Sequence, residues 1–186
     1  MQTKNDLRSK MRKLRNCLSA YERHEQQRQI YSNFTINVKF AQHSKIAGYL
    51  SIDGEVNIIE ILWDLEKQGH QICLPEVLKD SMIYRLWDLK QLEKNKDFPK
   101  FMGSPISFPE IIPEVVLTPL VAVDILGNRV GFGRGYYDKY IAHLRSVSKV
   151  ITIGICYDFQ LVSEVPYEVH DQRLDIIITD KRFIKL

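Results

Sequence analysis

Glycines at alternate positions in the second half of the chain carry the clearest chemical signal in the sequence. Gly131, Gly133 and Gly135 have no side chains, so the backbone can approach a ligand closely and its successive N–H groups can point inward. Arg129 and Arg134 add positive charge to the same short stretch. This combination predicts a phosphate-binding loop.

The residues that follow predict a helix that begins at the same place. A helix over residues 136–145 would direct its free N–H groups and its dipole toward the anion. Asp138 is a candidate magnesium ligand, direct or through water, because a carboxylate beside a phosphate needs a cation between them. The alternative is an ordinary acid at a helix N-terminus. Tyr136 and Tyr137 suit stacking on a planar heterocycle or packing in the core.

Two polar groups elsewhere in the chain are further candidates. Lys4 and Arg8 are four residues apart on a predicted helix, so they share a face that suits either one anion or plain solvation. His170, Asp171 and Asp175 precede the predicted last strand, but one histidine beside an acid lacks the ligand spacing of a transition-metal site. Asp171 therefore suits either a loop cap or a second carboxylate near magnesium.

The common nucleotide and nucleophile motifs are missing from the sequence. It has no GxxxxGK followed by Ser or Thr, and its GxGxG lacks the acid that would bind a ribose about twenty residues later. It also has no GxSxG motif and no evident Cys–His arrangement. Covalent catalysis therefore has little support.

Composition indicates a soluble globular enzyme or binding protein with one domain. The 186 residues are 45% hydrophobic and 26% charged, with a net charge of +3. The three cysteines are scattered without a CxxC motif, which favours neither disulfides nor zinc. No apolar run reaches the length of a membrane span, so we expect a cytosolic protein. The basic N-terminus suggests an anionic partner, but it is less dense than a nucleic-acid-binding arm.

Periodicity predicts two N-terminal helices, over about residues 3–40, that pack on an α/β core. The first has an apolar stripe, and the second starts at a capping box, residues 19–22. The predicted buried positions are Leu7, Met11, Leu14 and Leu18 in the first helix, and Ile30, Phe34 and Val38 in the second.

The remaining pattern alternates strands with helices, which is typical of βαβ units. Strands are predicted at residues 45–51, 71–74, 82–87, 115–117, 149–156 and 174–179, with a helix from about 56 to 68 and a long surface loop at 88–113. Pro75 is expected to end one strand, and a short basic tail to end the chain. Glu55 follows the first strand, where it suits either a helix-terminal charge or a ligand contact.

These residues resemble the 5-formyltetrahydrofolate cyclo-ligases, also called methenyltetrahydrofolate synthetases. The resemblance is strongest at residues 116–140 and extends over nearly the whole chain in the right order. It rests on Pro119, Asp124, Gly127, Arg129, Gly131, Gly133, Gly135, Tyr136, Tyr137 and Asp138, together with Lys4, Leu7, Arg8, Leu50, Glu55, Val165, Pro166, His170, Asp171 and Asp175.

The resemblance implies a three-layer, Rossmann-like α/β fold with an open, mixed, mostly parallel sheet flanked by helices. It also implies conversion of 5-formyltetrahydrofolate to 5,10-methenyltetrahydrofolate with ATP and Mg²⁺, by a monomer without a nucleic-acid or membrane partner. The ATP contacts would be Lys4, Arg8, Arg129, Gly131, Phe132, Gly133, Arg134, Gly135, Tyr136 and Tyr137, with Lys4, Arg129 and Arg134 catalytic. Folate would contact Leu50, Glu55 and Tyr136, and magnesium would contact Asp138 and Asp171.

The sequence departs from the family pattern at two places. Phe132 and Arg134 occupy variable positions, where charge favours Arg134 as the phosphate contact. In the predicted loop, residues 102–105 replace the more usual Gly-x-x-Glu-Pro. Another ATP-dependent small-molecule enzyme on the same architecture, or an anion- or RNA-binding module, would explain part of the same pattern.

Overall fold

A seven-stranded sheet forms the centre of the protein in the computed structural model, which describes residues 3–88 and 108–186. Its strands are β1 (Lys45–Ala47), β2 (Gln71–Val77), β3 (Met82–Leu86), β4 (Val115–Thr118), β7 (Ile151–Ile155), β8 (Ile176–Ile178) and β9 (Phe183–Lys185). A separate hairpin contains β5 (Ala122–Val123) and β6 (Arg129–Val130). The helices are α1 (Lys4–Cys17), α2 (Ala20–Asn37), α3 (Ile59–Lys67) and α4 (Tyr136–Val147).

The sheet order is β3-β2-β1-β4-β7-β8-β9. Strands β2, β1, β4, β7 and β8 run parallel, and the edge strands β3 and β9 pair antiparallel. Such an order follows when right-handed crossovers carry the chain from strand to strand. The predicted α/β fold with a mixed, mostly parallel sheet is confirmed.

Helices cover both faces of the sheet because neighbouring strand residues point to opposite sides. Ile46 packs in the cluster that contains α2 and α3, whereas Ala47 packs in the cluster that contains α4. Val115 and Val116 divide in the same way. The architecture therefore has three layers.

The first helix buries a different stripe from the predicted one. Leu7 and Met11 are buried, but Leu14 is 38% exposed and Arg15 is fully buried. Residues 7, 11 and 15 lie at four-residue steps on one face of the helix, so the buried stripe continues through Arg15. Leu18 lies beyond the helix as its C-cap residue.

The second helix begins as predicted. The Ser19 side chain accepts a hydrogen bond from the Glu22 N–H, and Glu22 accepts one from the Ser19 backbone. Ile30 and Phe34 are buried inside the helix, and Val38 is its C-cap residue.

Several strand boundaries differ from the prediction, and the predicted strand at 45–51 ends at Ala47. Strand β2 continues through Pro75, because in the described structure β1 pairs with β2 only as far as Cys73 and leaves one edge free beyond it. The basic tail is not irregular but forms β9, whose Ile184 pairs with Ile177 of β8.

Most of the predicted surface loop at 88–113 lies outside the described residues, including the departure at 102–105. Where the chain resumes, Phe108 stacks on Trp87 with ring centroids 4.9 Å apart. Glu110 forms a bridge to Arg85 of β3. Within the two described ranges, none of the helices is long and apolar enough to cross a bilayer.

Candidate active site

A cavity of about 690 Å³ opens where β1, β2 and β4 end, between the start of α1 and the glycine loop. This edge of a parallel sheet is where α/β proteins usually bind ligands, and the volume suits a small-molecule site. All of the predicted site residues line it: Lys4, Arg8, Leu50, Glu55, Arg129, Gly131, Phe132, Gly133, Arg134, Gly135, Tyr136, Tyr137, Asp138 and Asp171. Their common location supports one site, without assigning a role to each.

The β5–β6 hairpin that precedes the glycine loop is held by a buried carboxylate. Asp124 is 2% exposed and accepts hydrogen bonds from the N–H groups of Leu126, Asn128 and Val165. Gly127 completes the turn with φ +81°, where an added Cβ would lie 2.7 Å from the Leu174 carbonyl oxygen. The sequence placed Asp124 within the family pattern but did not show that it organises this turn.

The glycine loop combines a tight contact with open backbone. Gly133 has φ +103°, and a Cβ there would lie 3.2 Å from Nη2 of Arg8. The Arg8 Nε donates to the Gly131 carbonyl oxygen at 2.8 Å. A Cβ at Gly131 or Gly135 would meet no atom within 4 Å, so these backbone positions face open space. The loop thus leaves backbone room for a ligand and holds a cation beside it.

Helix α4 starts at this loop without a side-chain cap. Gly135 is its N-cap residue, with φ +69° and no side chain to accept the first N–H groups. Uncapped N–H groups and the helix dipole favour an anion. Tyr136 and Tyr137 are half-buried at the helix start, where they line the cavity and also pack against the core cluster of Tyr140.

Arg129 and Asp138 form a buried ion pair at the base of the loop. The Nη2 of Arg129 lies 2.9 Å from Oδ1 of Asp138, and the Arg129 side chain is 3% exposed. Arg129 also donates to the Gln172 carbonyl oxygen, and the Gln172 N–H donates to Oδ1 of Asp138 at 3.0 Å. The predicted phosphate contact and the predicted metal ligand are therefore partners of each other.

A second ion pair joins the first helix to the C-terminal segment. The Nζ of Lys4 lies 2.6 Å from Oδ2 of Asp171 and 3.0 Å from Oε1 of Glu168. Burial lowers the pKa of Lys4, but its bonds to these two acids outweigh burial and raise it. Burial likewise raises the pKa of Asp171, and the bond to Lys4 reverses this to a net decrease. Both groups are therefore charged at neutral pH.

Each of the two predicted magnesium carboxylates, Asp138 and Asp171, keeps one oxygen that could contribute to a metal's shell. Both hydrogen bonds of Asp138 fall on Oδ1, and those of Asp171 fall on Oδ2. Mg²⁺ usually takes one or two carboxylates and completes its shell with water and phosphate oxygens. Within the described residues no group of three or more His, Cys, Asp or Glu is placed to bind a metal by itself.

The second polar cluster predicted from the sequence is divided in the structure. His170 and Asp171 line the cavity. Asp175 lies elsewhere, where it accepts from the Thr152 N–H at 2.7 Å and forms an ion pair with Arg145. Asp175 comes directly before β8, and these contacts hold it against the sheet and not at the cavity.

Glu55 is a buried carboxyl group that also lines the cavity. It is 6% exposed, and its Oε2 accepts the Ile52 N–H at 3.1 Å. Its Oε1 is buried and has no hydrogen-bond partner in the described structure. Burial raises the pKa of Glu55 to about 7. Helix α3 begins only at Ile59, so Glu55 is not the charge of a helix terminus.

Phe132 and Arg134 have different surroundings. Phe132 is half-buried against Leu7 and Met11, with the guanidinium groups of Arg12 and Arg15 5.6 and 5.8 Å from its ring centroid. Arg134 is exposed and lines the cavity. This difference favours Arg134 as the side chain that contacts phosphate.

Residues that sequence reasoning did not select also build the site. Glu168 and Gln172 hold Lys4 and Arg129, and no local pattern marks them. The cavity has an apolar wall near Glu55, made of Leu50, Leu74, Pro75, Met82 and Trp87. Arg15 lies behind that region, and its spacing from Leu7 and Met11 was a signal that it belongs to the buried stripe.

The fold and the cavity define a class: an α/β protein with a cation-lined small-molecule cavity at the carboxyl ends of its parallel strands. The sequence profile of the 5-formyltetrahydrofolate cyclo-ligase family matches residues 1–180. The chain belongs to this family, and it is an enzyme of folate metabolism in the cyclo-ligase class.

Individual relatives agree with this assignment. The chain is 28% identical over 189 residues to the 5-formyltetrahydrofolate cyclo-ligase of Haemophilus influenzae, covering 95% of this chain and 98% of the relative. It is 32% identical over 162 residues to that of Saccharomyces cerevisiae, covering 74% and 76%. A solved 5,10-methenyltetrahydrofolate synthetase from Mycoplasma pneumoniae is similar with a TM-score of 0.77 at 25% identity, covering 95% of this chain and 98% of that one.

Proposed function

We propose that the enzyme converts 5-formyltetrahydrofolate to 5,10-methenyltetrahydrofolate, with ATP as the second substrate and Mg²⁺ as its metal. The single observation that carries the proposal is the two-ended cavity. The lining of this one cavity combines cations, open glycine backbone and an uncapped helix N-terminus with apolar side chains and a buried carboxyl group, and we assign the first set to one end of the site and the second set to the other.

The chemistry requires phosphate because the formyl oxygen is a poor leaving group. Transfer of the γ-phosphoryl group from ATP to that oxygen releases ADP and turns the oxygen into part of a phosphate ester. N10 of the folate then attacks the formyl carbon to form the N10–C bond and close the five-membered ring, the C–O bond breaks with release of phosphate, and the N10 proton goes to solvent. Phosphoryl transfer needs positioning and charge stabilisation more than a protein nucleophile, which fits the residues of this site.

The cationic end suits the triphosphate. In the proposal Lys4, Arg8, Arg129 and Arg134 contact the phosphates, together with the backbone of residues 131–135 and the start of α4. Lys4 and Arg129 are already fixed by ion pairs, so little reorganisation is needed when charge develops on the transferring group. Arg8 is fixed by its bond to the loop, and Arg134 is the exposed cation that is free to turn toward the ligand.

The metal site is proposed at Asp138 and Asp171, whose remaining oxygens suit Mg²⁺ beside the phosphates. Mg²⁺ would supply neutralisation of charge on the phosphate oxygens. The residues of this chain keep the two carboxylates in place through Arg129 and Lys4.

The apolar end suits the pterin. In the proposal Leu50 offers a surface for the flat pterin ring. Tyr136, which also lines the cavity, is assigned to both substrates. Glu55, if ionised, accepts two N–H groups from the amino-pyrimidine edge of folate, and such charge-assisted pairs are strong. The Oε1 atom that lacks a partner in the structure is available for one of these bonds.

The proposal is tested by adding ATP to purified protein with 5-formyltetrahydrofolate and Mg²⁺ while recording the near-ultraviolet absorbance of the methenyl product. Reactions without ATP, and with Mg²⁺ chelated, are the controls. An ATP-dependent rise that needs Mg²⁺ supports the proposal, and no rise with ATP present overturns it. A monomeric state, absence of nucleic-acid binding and a cytoplasmic location stay predictions.

A further inference from the structure

Arg15 is a buried cation with few partners. Its side chain is 0% exposed in the last turn of α1, where its Nη2 lies 3.4 Å from Oδ2 of Asp53. Its Nε and Nη1 are buried without a hydrogen-bond partner in the described part of the chain. A buried charge is costly unless another charge compensates it, so the surroundings of Arg15 call for a negative group.

Glu55 is the buried acid near Arg15. Arg15 has two buried polar atoms without a partner, and Glu55 has one, its Oε1. The two groups form no direct ion pair in the structure, so each affects the other through a short stretch of low-dielectric protein, where charge interactions are strong.

The protein holds these two residues in a fixed relation. The Asp53–Gly54 turn lies between them, and a Cβ on Gly54 would be 3.5 Å from Cβ of Arg15. Arg23 of α2 locks the arrangement, because its Nη1 donates to the Gly54 carbonyl oxygen and its Nη2 to that of Arg15. Neither residue can move far without breaking these bonds.

Other groups face Glu55 from every neighbouring element. Asp53 on its own loop disfavours the ionised carboxylate, and Arg15 from α1 favours it. The phenols of Tyr49, after β1, and Tyr137, on α4, also interact with Glu55, and both have pKa values raised by burial. The phenols are therefore neutral at physiological pH, and the effect of burial is opposed first by the Ile52 N–H bond and then by the charge of Arg15.

We infer that Arg15 is a positioning residue of the folate pocket, which does not touch the ligand but favours the ionised form of the Glu55 carboxylate and helps to fix its place. It does not line the cavity and is not proposed to touch the substrate. The identity of the ligand rests on the proposed function, but the coupling between Arg15 and Glu55 does not. A purely structural Arg15, buried to pack on Phe132, would leave the ionisation of Glu55 unchanged.

The coupling is measured without any ligand by ¹³C NMR of the glutamate side-chain carboxyls, with Glu55 assigned from the Glu55→Gln variant. Arg15→Gln is expected to raise the titration midpoint of Glu55 by about one pH unit, because a nearby opposite charge has an effect of this size. Arg15→Lys keeps the charge and is expected to stay near wild type. Arg12→Gln is the matched control, since Arg12 is 51% exposed, lies on the same helix and pairs with Asp53. An unchanged midpoint in Arg15→Gln overturns the inference.

A measurement on the unmodified protein covers the case in which Arg15→Gln does not fold. The ¹⁵Nε resonance of Arg15 should change with pH at the same midpoint as the Glu55 carboxyl. A resonance that does not respond at that midpoint contradicts the inference.

A double-mutant cycle on 5-formyltetrahydrofolate binding then links the coupling to the ligand. Arg15→Gln should weaken binding at pH 7 about fivefold when Glu55 is present, because a one-unit rise from a pKa of about 7 lowers the ionised fraction by about that factor, and it should have little effect in the Glu55→Gln background. Equal effects in both backgrounds would show that Arg15 acts independently of Glu55. If wild type binds no folate, the proposed function fails while the NMR coupling still stands.

Discussion

At the scale of single residues, Glu55 is the cavity carboxyl group whose pKa burial raises into the physiological range. Its pKa rises from 4.5 to about 7 because burial disfavours the charged form. An acid with a raised pKa in the folded state makes the protein less stable as pH rises from about 4.5 through 7. The ionised Glu55 carboxylate is therefore held at a cost to the stability of the free protein.

Replacing Glu55 by Gln should remove this cost. The amide oxygen still accepts the Ile52 N–H, so we expect the free energy of unfolding at pH 8 to rise by an amount on the order of 3 kcal/mol. At pH 4 the difference should nearly vanish. Denaturant unfolding of wild type and Glu55→Gln at both pH values measures this difference. Equal stabilities of the two proteins at pH 8 would contradict the burial of a charged carboxylate at position 55.

Asp138→Asn tests the proposed metal ligand. The amide oxygen can still accept from Arg129 and the Gln172 N–H, so the variant should keep its fold, but its melting temperature should fall because the buried Arg129 loses its counter-charge. With one carboxylate lost, the Mg²⁺ concentration for half-maximal rate should rise about tenfold. A titration of rate against Mg²⁺ decides, and full activity at low Mg²⁺ would remove Asp138 from the metal site.

The kinds of residue in this site were predictable from the sequence, whereas their pairings were not. Glycine spacing and nearby arginines are enough to indicate a phosphate loop. Asp138 bonds to Arg129, and Lys4 to Glu168 and Asp171, through contacts that depend on how distant parts of the chain pack. Local patterns carry no information about such partners.

At the scale of the elements, the glycine loop depends on backbone conformations that other residues rarely adopt. Gly133→Ala should be strained by its φ of +103° and by the contact with Arg8, and should cost about 1–3 kcal/mol. Gly131→Ala is the control, because it has an ordinary φ and open space around the added methyl. Thermal unfolding should rank Gly133→Ala well below Gly131→Ala, and equal stability would contradict the described loop conformation.

Helix α1 tests which apolar stripe is buried. Leu7 is 0% exposed against Val121 and Val130, so Leu7→Ala should destabilise the protein by about 2–5 kcal/mol. Leu14 is 38% exposed on the same helix, and Leu14→Ala should change stability by about 0.5 kcal/mol or less. Urea unfolding of both variants compares them. A larger loss of stability for Leu14→Ala than for Leu7→Ala would indicate that Leu14 is buried, as periodicity predicted.

Element types were therefore more predictable than element ends. The capping box at Ser19 and the buried strand at β4 follow from local chemistry and a continuous apolar run. Strand β2 can extend through Pro75 because its pairing with β1 ends at Cys73. Strand β9 forms because β8 leaves an edge on which it can pair. Both features depend on tertiary structure, which local sequence patterns do not encode.

At the scale of the whole molecule, alternating strands and helices predicted the parallel sheet, and the confirmed family membership agrees with it. The sheet brings the ends of β1, β2 and β4 to one edge, while α1 and the C-terminal segment close the other side of the cavity. Two substrates are therefore proposed to meet in one cavity although their proposed contacts come from segments that are far apart in the sequence.

The central claim is that one cavity holds ATP at its cationic end and folate at its acidic end. The most direct measurement is steady-state kinetics of ATP-dependent methenyl product formation in wild type, Arg134→Ala and Glu55→Gln, varying each substrate in turn. We predict that Arg134→Ala raises KM for ATP, and Glu55→Gln raises KM for 5-formyltetrahydrofolate, each by about tenfold or more, with the other KM nearly unchanged. No ATP-dependent product in wild type, or the reverse pattern of KM changes, would contradict this account.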